Sequence, residues 1–365
     1  MTKSRRKPQK AAQNRQAEAV LYGATGFTGH LAARAMERAG VSMILAGRNR
    51  ESLERMAREF DNEHPIAVAR HDDPEAVGEL ASMGSVLAST AGPFAEVGEL
   101  IVAAAVAQGS HYLDSTGETE FMAQTYRRHH AAAREKGLVV MNSCGFEYVF
   151  GDCAVELALD AFPKARTLRV SYWLPDKTPT RGTALTVLGM LFGREGMSTR
   201  VVGQRVDFPE PVGTHWAVTY AGGEAELLPR RRPDVKISTL IHMPEIAARS
   251  TALLPVLAGV ANLPPVQAGI RRAVQRLPEG PDEARRARQE WMILVEVDPE
   301  EKGRHRLVVT GADPYGLTGE VLARAAARLA AGKHRAAGVL SPAEAFDPQE
   351  TLDSMADLGV AWRRA

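Results

Sequence analysis

VLYGATGFTGH, residues 20–30, is an apolar run that ends in a glycine-rich turn and opens a helical pattern. Gly23, Gly26 and Gly29 fall at intervals of three. Between a strand and a helix, such spacing has a physical meaning: a place where main chain meets a dinucleotide. The first glycine permits the tight turn, the second lets the backbone approach a diphosphate, and the third lets helix and strand pack closely. The helix N-terminus adds unpaired N–H groups and the positive end of its dipole. Ala24, Thr25, Phe27 and Thr28 complete the turn, the two threonines as hydroxyl donors.

The chain on either side supports that reading. Residues 19–24 predict the first buried strand. Similar apolar runs at 41–48, 65–70, 85–90, 110–116 and 137–143 predict five more. Helical patterns at 27–39, 50–60, 74–83, 95–108 and 119–136 lie between them, several ending at a glycine that suits a C-cap. Strands alternating with helices on short connections need parallel neighbours and right-handed crossovers. The expectation is an α/β chain: a Rossmann-type doubly wound parallel sheet over residues 19–147. Beyond it the rhythm changes. A helix is expected at 151–161, then strands at 166–175, 215–223, 234–242, 289–298 and 305–313, with a helix at 182–193. Strands in succession without long crossovers imply a second α/β domain on a mixed or antiparallel sheet, residues 148–315. A helix at 316–331 and short helices over 338–365 are expected to pack back on the first domain as a C-terminal unit, 316–365. Residues 1–18 are basic and polar, with no apolar h-region, and read as a disordered tail rather than an export signal.

Two further loops bear on the ligand. At the second strand end, where NAD-binding chains place an acidic residue for the ribose, this chain reads LAGRNR, 45–50. Arg48 offers a planar fork to a 2′-phosphate, with Asn49 and Arg50 beside it, so NADP(H) is favoured over NAD(H). At the fourth strand end, STAGPF brings Thr90, Ala91, Gly92, Pro93 and Phe94 to the same edge. Ala91 and Gly92 have no bulk to hold the chain off a cofactor, and Phe94 is expected against the nicotinamide side.

Composition narrows the class. The 365 residues carry 45 Lys+Arg against 44 Asp+Glu, a net charge of +1, which gives no reason to expect nucleic acid as a partner. The two cysteines, Cys144 and Cys153, form neither a disulfide framework nor a metal motif, so no metal is expected and a cytoplasmic setting is the default. The apolar stretch 251–265 is too short and too proline-broken to span a bilayer; it reads as a core or tunnel wall, or as a peripheral membrane or partner contact.

GATGFTG, LAGR, AGPF followed by GE, and GSHYLDSTGE (109–118) occur here in that order. With NSCGFEYVFGD (142–152), RGTALTVL (181–188), GPDEARRAR (280–288) and TGADPYGLTGE (310–320), they make the sequence similar to the saccharopine-dehydrogenase-like oxidoreductases, including trans-acting enoyl reductases. The resemblance implies a Rossmann domain, an α/β second domain, NAD(P)H use and often a homodimer. It also implies hydride transfer to a C=C or C=N bond of a small or acyl-chain substrate, with contact to a carrier protein possible in that family. Two departures stand out: Arg70-His71 where relatives often place an Asp near the adenine, and Tyr148 to Asp152 in place of a Ser-x-Pro-x-Asp pattern.

No proton donor declares itself. Tyr148, Tyr112 and Asp114 are the catalytic candidates, with Tyr148 first to test. Asp114 and Glu118 read more simply as loop anchors and helix caps. Glu147, Arg181 and Thr183 are candidates for substrate. The rival reading is a non-catalytic NADP(H)-binding or lipid-associated protein working through a partner.

Overall fold

The computed structural model describes residues 15–176, 180, 201–253, 263–276, 279–299 and 305–365. The helix expected at 182–193, the substrate candidates Arg181 and Thr183, and most of the apolar stretch 251–265 lie outside the described residues.

The first sheet is built from β1 (Ala17–Tyr22), β2 (Met43–Gly47), β3 (Ile66–Val68), β4 (Gly84–Ser89), β5 (His111–Asp114) and β6 (Val139–Met141). A seventh strand, β13 (Gly338–Val339), adds to its β6 edge, giving the order β13-β6-β5-β4-β1-β2-β3, parallel throughout. The crossovers are α1 (Phe27–Arg38), α2 (Arg50–Ala57), α3 (Pro74–Ser82), α4 (Phe94–Gln108) and α5 (Thr119–Glu135). Both faces are covered, which is why these strands read as unbroken apolar runs. The strand order reverses between β1 and β4, the switch point where open sheets of this kind take ligands.

From β6 the chain enters α6 (Phe146–Ala161), one turn earlier than its sequence pattern suggests. Twelve of its sixteen residues are buried. One side of α6 meets the second sheet through Phe146 and Phe150, whose rings lie 5.4 and 5.5 Å from that of Trp291. That sheet comprises β7 (Thr167–Trp173), β8 (Gly203–Phe208), β9 (Gly213–Thr219), β10 (Lys236–His242), β11 (Trp291–Val297), β12 (His305–Gly311) and β14 (Ala361–Arg364). Its order is β14-β12-β11-β7-β10-β9-β8, antiparallel except for β7 with β10.

Three short helices, α7 (Gly223–Arg231), α8 (Glu245–Arg249) and α10 (Glu283–Arg286), and the longer α9 (Pro264–Gln275) fill its connections. The strand expected at 215–223 ends at Thr219, because Gly222 and Gly223 start α7 instead. α11 (Pro314–Ala330) returns to the first domain and runs parallel to α1. A Cβ on Gly319 would sit 2.8–2.9 Å from the Leu31 main chain, so the two helices touch backbone to backbone. The closing segment corrects a second expectation. It holds the short helices α12 (Pro342–Ala345) and α13 (Pro348–Asp353), but also β13 and β14, so it contributes a strand to each sheet. Order also begins earlier than expected: Arg15 donates to the carbonyls of Gly84 (2.7 Å) and Gly109, and β1 starts at Ala17.

Candidate functional site

The turn after β1 is held from below. The amides of Gly23 and Ala24 donate to the Ala46 carbonyl at 2.9 and 3.2 Å, and that of Gly26 to the Gly23 carbonyl at 3.0 Å. These three are spent inside the protein. The amides of Thr25 and of the first turn of α1 are left for a ligand, because α1 has neither a side-chain cap nor an acidic residue in its first turn. Ala24 is buried, whereas Thr25 and Gly26 are exposed, so no side chain of the turn plugs it.

The glycines are dictated by contact. Gly23 has φ +81°, and a Cβ there would lie 2.9 Å from the Ala91 amide nitrogen. The loops after β1 and β4 therefore abut at the switch point, with Thr90 Oγ donating to the Gly23 carbonyl at 3.1 Å. Thr90 thus braces the turn. A Cβ on Gly29 would fall 2.2 Å from the Gly23 carbonyl oxygen, the close helix–strand packing its position suggests.

At the β2 end, Arg48 is exposed and has no carboxylate partner among the described residues. Its neighbours are engaged: Asn49 caps α2 by accepting from Ser52 N at 2.9 Å, and Arg50 lies 4.0 Å from Glu54. Arg70 is held by Asp72 through two hydrogen bonds of 3.0 and 2.8 Å. Tyr22, whose hydroxyl donates to the Ala69 carbonyl at 3.1 Å, lies within electrostatic reach of Arg48, Arg70 and Asp72.

At the β4 end, Phe94 does not face the crevice. It is buried, 6.1 Å from the Phe121 ring, because the start of α4 turns it under the sheet edge. The Glu118 carboxylate accepts from the amides of Phe94 (2.9 Å) and Ala95 (2.8 Å), so it caps α4, the helix before it, rather than α5. Asp114 is fully buried. It accepts from Thr116 N (3.0 Å), Asn142 Nδ2 (2.7 Å) and Ser143 N (3.0 Å), and burial raises its pKa to about 6 against the pull of those donors. Ser143 has φ +61°, a left-handed backbone that an L-residue adopts only when its surroundings impose it. Asp114 is therefore the anchor of the bend that launches α6.

Of the other two catalytic candidates, Tyr112 is fully buried inside the sheet layer and is removed from the crevice. Tyr148 is 6% exposed on the first turn of α6, and α7 presses on it: a Cβ on Gly223 would sit 2.7 Å from its ring. Burial raises the pKa of both phenols well above the usual value, which makes them weak acids. Cys144 is buried and its thiol is likewise pushed up, which makes it a poor nucleophile. Glu147 stands half-buried next to Tyr148. Among the described residues no cluster suits a metal and no helix is long and apolar enough to cross a membrane.

The second domain reaches the glycine turn through residues the sequence reading did not single out. The Phe27 ring meets Tyr315 edge-on at 5.5 Å, and Arg286 lies 5.9 Å from its centroid. A Cβ on Gly280 would strike the same ring at 2.5 Å. Arg286 is paired with Asp313 (3.2 Å), which caps α11 by accepting from Gly316 N at 2.8 Å. Thr318 on α11 accepts from the amide of Phe146 at the start of α6 (3.3 Å). The first turns of α1, α6 and α11 therefore converge on one crevice. The sequence signal was that GPDEARRAR and TGADPYGLTGE are among the blocks that carry the family resemblance; their meeting over Phe27 is a tertiary fact.

Comparison with known proteins agrees with this geometry. Residues 19–141 match the family described as saccharopine dehydrogenase NADP binding domain. A trans-acting enoyl reductase of Mycobacterium leprae is 34% identical over 146 residues, 39% of this chain and 35% of the relative. A saccharopine dehydrogenase-like oxidoreductase of Bos taurus is 30% identical over 162 residues, 40% of this chain and 38% of the relative. These matches span little more than a third of the relatives' own lengths. A saccharopine dehydrogenase (L-Glu forming) of Saccharomyces cerevisiae superposes with a TM-score of 0.61 at 11% identity, covering 95% of this chain and 99% of that one. It shares the two-domain fold.

Proposed function

We propose that this protein is an NADP(H)-dependent oxidoreductase that reduces a C=C or C=N bond in a small or acyl-chain substrate held between its two domains. The observation that carries the reading is the glycine turn: its side is closed against Ala91, while Thr25, Gly26 and the uncapped start of α1 face outward. A diphosphate fits that cradle, since a Cβ at residue 23 would overlap main chain and the free amides suit an anion. Bound there, a nicotinamide coenzyme supplies the hydride. The chain's own residues do the rest. Arg48 meets the 2′-phosphate; Arg70 is tied to Asp72 and is less available. Asp114 and Glu118 fix the loops that floor the crevice, and Tyr315 and Arg286 of the second domain wall it by packing against Phe27. The names of the relatives in Mycobacterium leprae and Bos taurus support a C=C acceptor and hydride chemistry in general. The resemblance of the sequence to that family further leads us to propose a carrier-bound acyl chain as the substrate and a homodimer as the working unit.

The experiment is a fluorescence titration with NADPH and NADH, on the wild-type protein and on Arg48→Ala. The wild type should prefer NADPH, and Arg48→Ala should lose affinity for NADPH about tenfold or more while NADH changes little, the cost of one charge-assisted phosphate contact. Equal losses for both coenzymes show that Arg48 does not read the 2′-phosphate. No binding of either rejects the function.

A further inference from the structure

β8 (Gly203–Phe208) is the last strand of the second sheet and pairs with β9 on one side only. The Thr219 amide donates to the Val202 carbonyl at 3.0 Å, so residue 202 turns its main chain toward β9. Along an antiparallel ladder that direction alternates. Gln204, Val206 and Phe208 therefore bond to β9, while Gly203, Arg205 and Asp207 direct their N–H and C=O groups away from the sheet. A row of unspent main-chain groups is a template for another strand unless it is covered, kinked or broken by proline. Among the described residues no strand covers this edge, its register with β9 runs without a bulge, and Gly203–Phe208 contains no proline.

The side chains restrict what can pair here. Arg205 and Asp207 are exposed, whereas Val206 and Phe208 are buried in the sheet. Arg205 has no carboxylate partner among the described residues. Asp207 accepts from Thr214 Oγ at 3.2 Å and lies 3.6 Å from Arg306, yet its side chain stays 60% exposed. Two of the four large apolar side chains exposed among the described residues flank the same strand. Val202, 45% exposed, precedes it; Ile246, 83% exposed, stands on α8, whose Ala248 carbonyl oxygen lies 2.2 Å from where a Cβ on Gly203 would be.

We propose that this edge is the self-association surface of the protein: a second copy of the chain adds its own β8 antiparallel, with the two-fold axis at Val206. That register sets residue 205 of one copy opposite residue 207 of the other, in both directions. Two conditions are then met at once. Both residues turn main chain outward, so the opposed pair exchanges N–H···O=C bonds, and each guanidinium faces a carboxylate across the strands. An axis at Arg205 or at Asp207 would instead set like charges face to face. The homodimer proposed above has no assigned surface; this inference supplies one and does not rest on the coenzyme chemistry. A six-residue ladder with Val202 and Ile246 beside it is a small interface, so the dissociation constant should be on the order of a micromolar.

Sedimentation equilibrium of the full chain, loaded at about 1 to 100 µM, tests this without coenzyme or substrate. The wild type should pass from monomer to dimer over that range. Arg205→Glu and Asp207→Arg each set like charges opposite one another, and each should weaken self-association at least about tenfold. Mixed in equal amounts, the two variants should form a heterodimer about as tightly as the wild type pairs with itself, because every opposed pair then carries opposite charge. Should Asp207→Arg fold poorly, Arg205→Lys serves: it should keep the dimer that Arg205→Glu loses. Hydrogen exchange of the peptide spanning β8 should slow with concentration in the wild type and not in Arg205→Glu. A wild type that stays monomeric overturns the inference, and so does a mixture of the two reversals that fails to pair. A dimer that both reversals leave intact lies on another surface, which overturns the inference and leaves the oxidoreductase reading untouched.

Discussion

Gly26 and Gly29 sit three residues apart in the same turn, and the structure assigns them different duties. At Gly29, an added Cβ meets the Gly23 carbonyl oxygen at 2.2 Å and the Ala24 carbonyl at 2.8 Å. A carbon needs roughly 3.4 Å from such an oxygen, so α1 would have to withdraw by about 1 Å. It cannot do so freely, because its other side lies against the α11 main chain at Gly319. Gly29→Ala should therefore cost about 3 kcal/mol or more, the upper range for overpacking. At Gly26, the Cβ meets only the Gly23 carbonyl oxygen at 3.3 Å, and φ of −78° suits any residue. Trading glycine for alanine at an N-cap should cost no more than about 1 kcal/mol. The new methyl group, however, projects where the diphosphate must approach. Urea unfolding followed by tryptophan fluorescence gives the stability order; NADPH titration gives the binding order. Gly26→Ala should keep its unfolding midpoint close to wild type and lose NADPH affinity at least tenfold. Gly29→Ala should unfold at clearly lower urea with an unchanged slope. Wild-type NADPH affinity in folded Gly26→Ala would refute the placement of the diphosphate at this turn.

Three further outcomes follow from buried charges. Asp114→Ala removes the acceptor shared by Thr116, Asn142 and Ser143, and should destabilise by about 3 kcal/mol in chemical denaturation. Arg231→Ala leaves Asp152 buried without its cation, for a loss of about 3–5 kcal/mol, whereas Arg231→Met with Asp152→Leu should recover most of it. The third is a pH effect. Glu224 ionises near 4.5 when unfolded and near 8 when folded. Below the first value both states hold the proton; between the two only the folded state does, so stability falls as pH rises from about 4.5 to 8 and then levels. Glu224→Gln lacks this loss, so its midpoint relative to wild type should rise from pH 5 to pH 8; a constant difference would mean the carboxyl is ionised throughout.

How much of this was legible in the sequence depends on whether the cause is local. β1 to β6 were readable because a strand buried on both faces must be apolar along its whole length, and each is punctuated by glycine or a capping residue. The glycine turn was readable because its close approaches lie within the sequence 23–29 or one loop away at Ala91. β13 and β14 were not: two and four residues, they are strands only because an edge is waiting for them. Gly222-Gly223 looked like a strand end, and it opens a helix because Tyr148, some seventy-five residues earlier, fills the space a side chain would need. Phe94 looked like a cofactor contact because it follows a loop at the right edge, but the capping of α4 by Glu118 turns it inward.

The same division explains why the nucleotide reads clearly and the substrate does not. Everything proposed to touch the diphosphate comes from one βα unit and the loop beside it, so a short fingerprint carries it. The other side of the crevice is assembled from α6, α7, α10 and the start of α11, four segments spread over some one hundred and seventy residues. Within it, the chemistry depends on pairings that no spacing encodes. Tyr172 finds Glu224 across two elements, and Gly151 on a third must lack a side chain for them to meet. Substituting Gly151 by alanine is then a sharp check of that wall. The added Cβ would overlap both polar atoms, and the cheapest relief is to part Glu224 from Tyr172. The folded variant should still bind NADPH, because the glycine turn is untouched, but lose the pH dependence of its stability between pH 5 and pH 8 that burial of Glu224 imposes. Retention of that dependence in Gly151→Ala would show that the Tyr172–Glu224 pair does not set it.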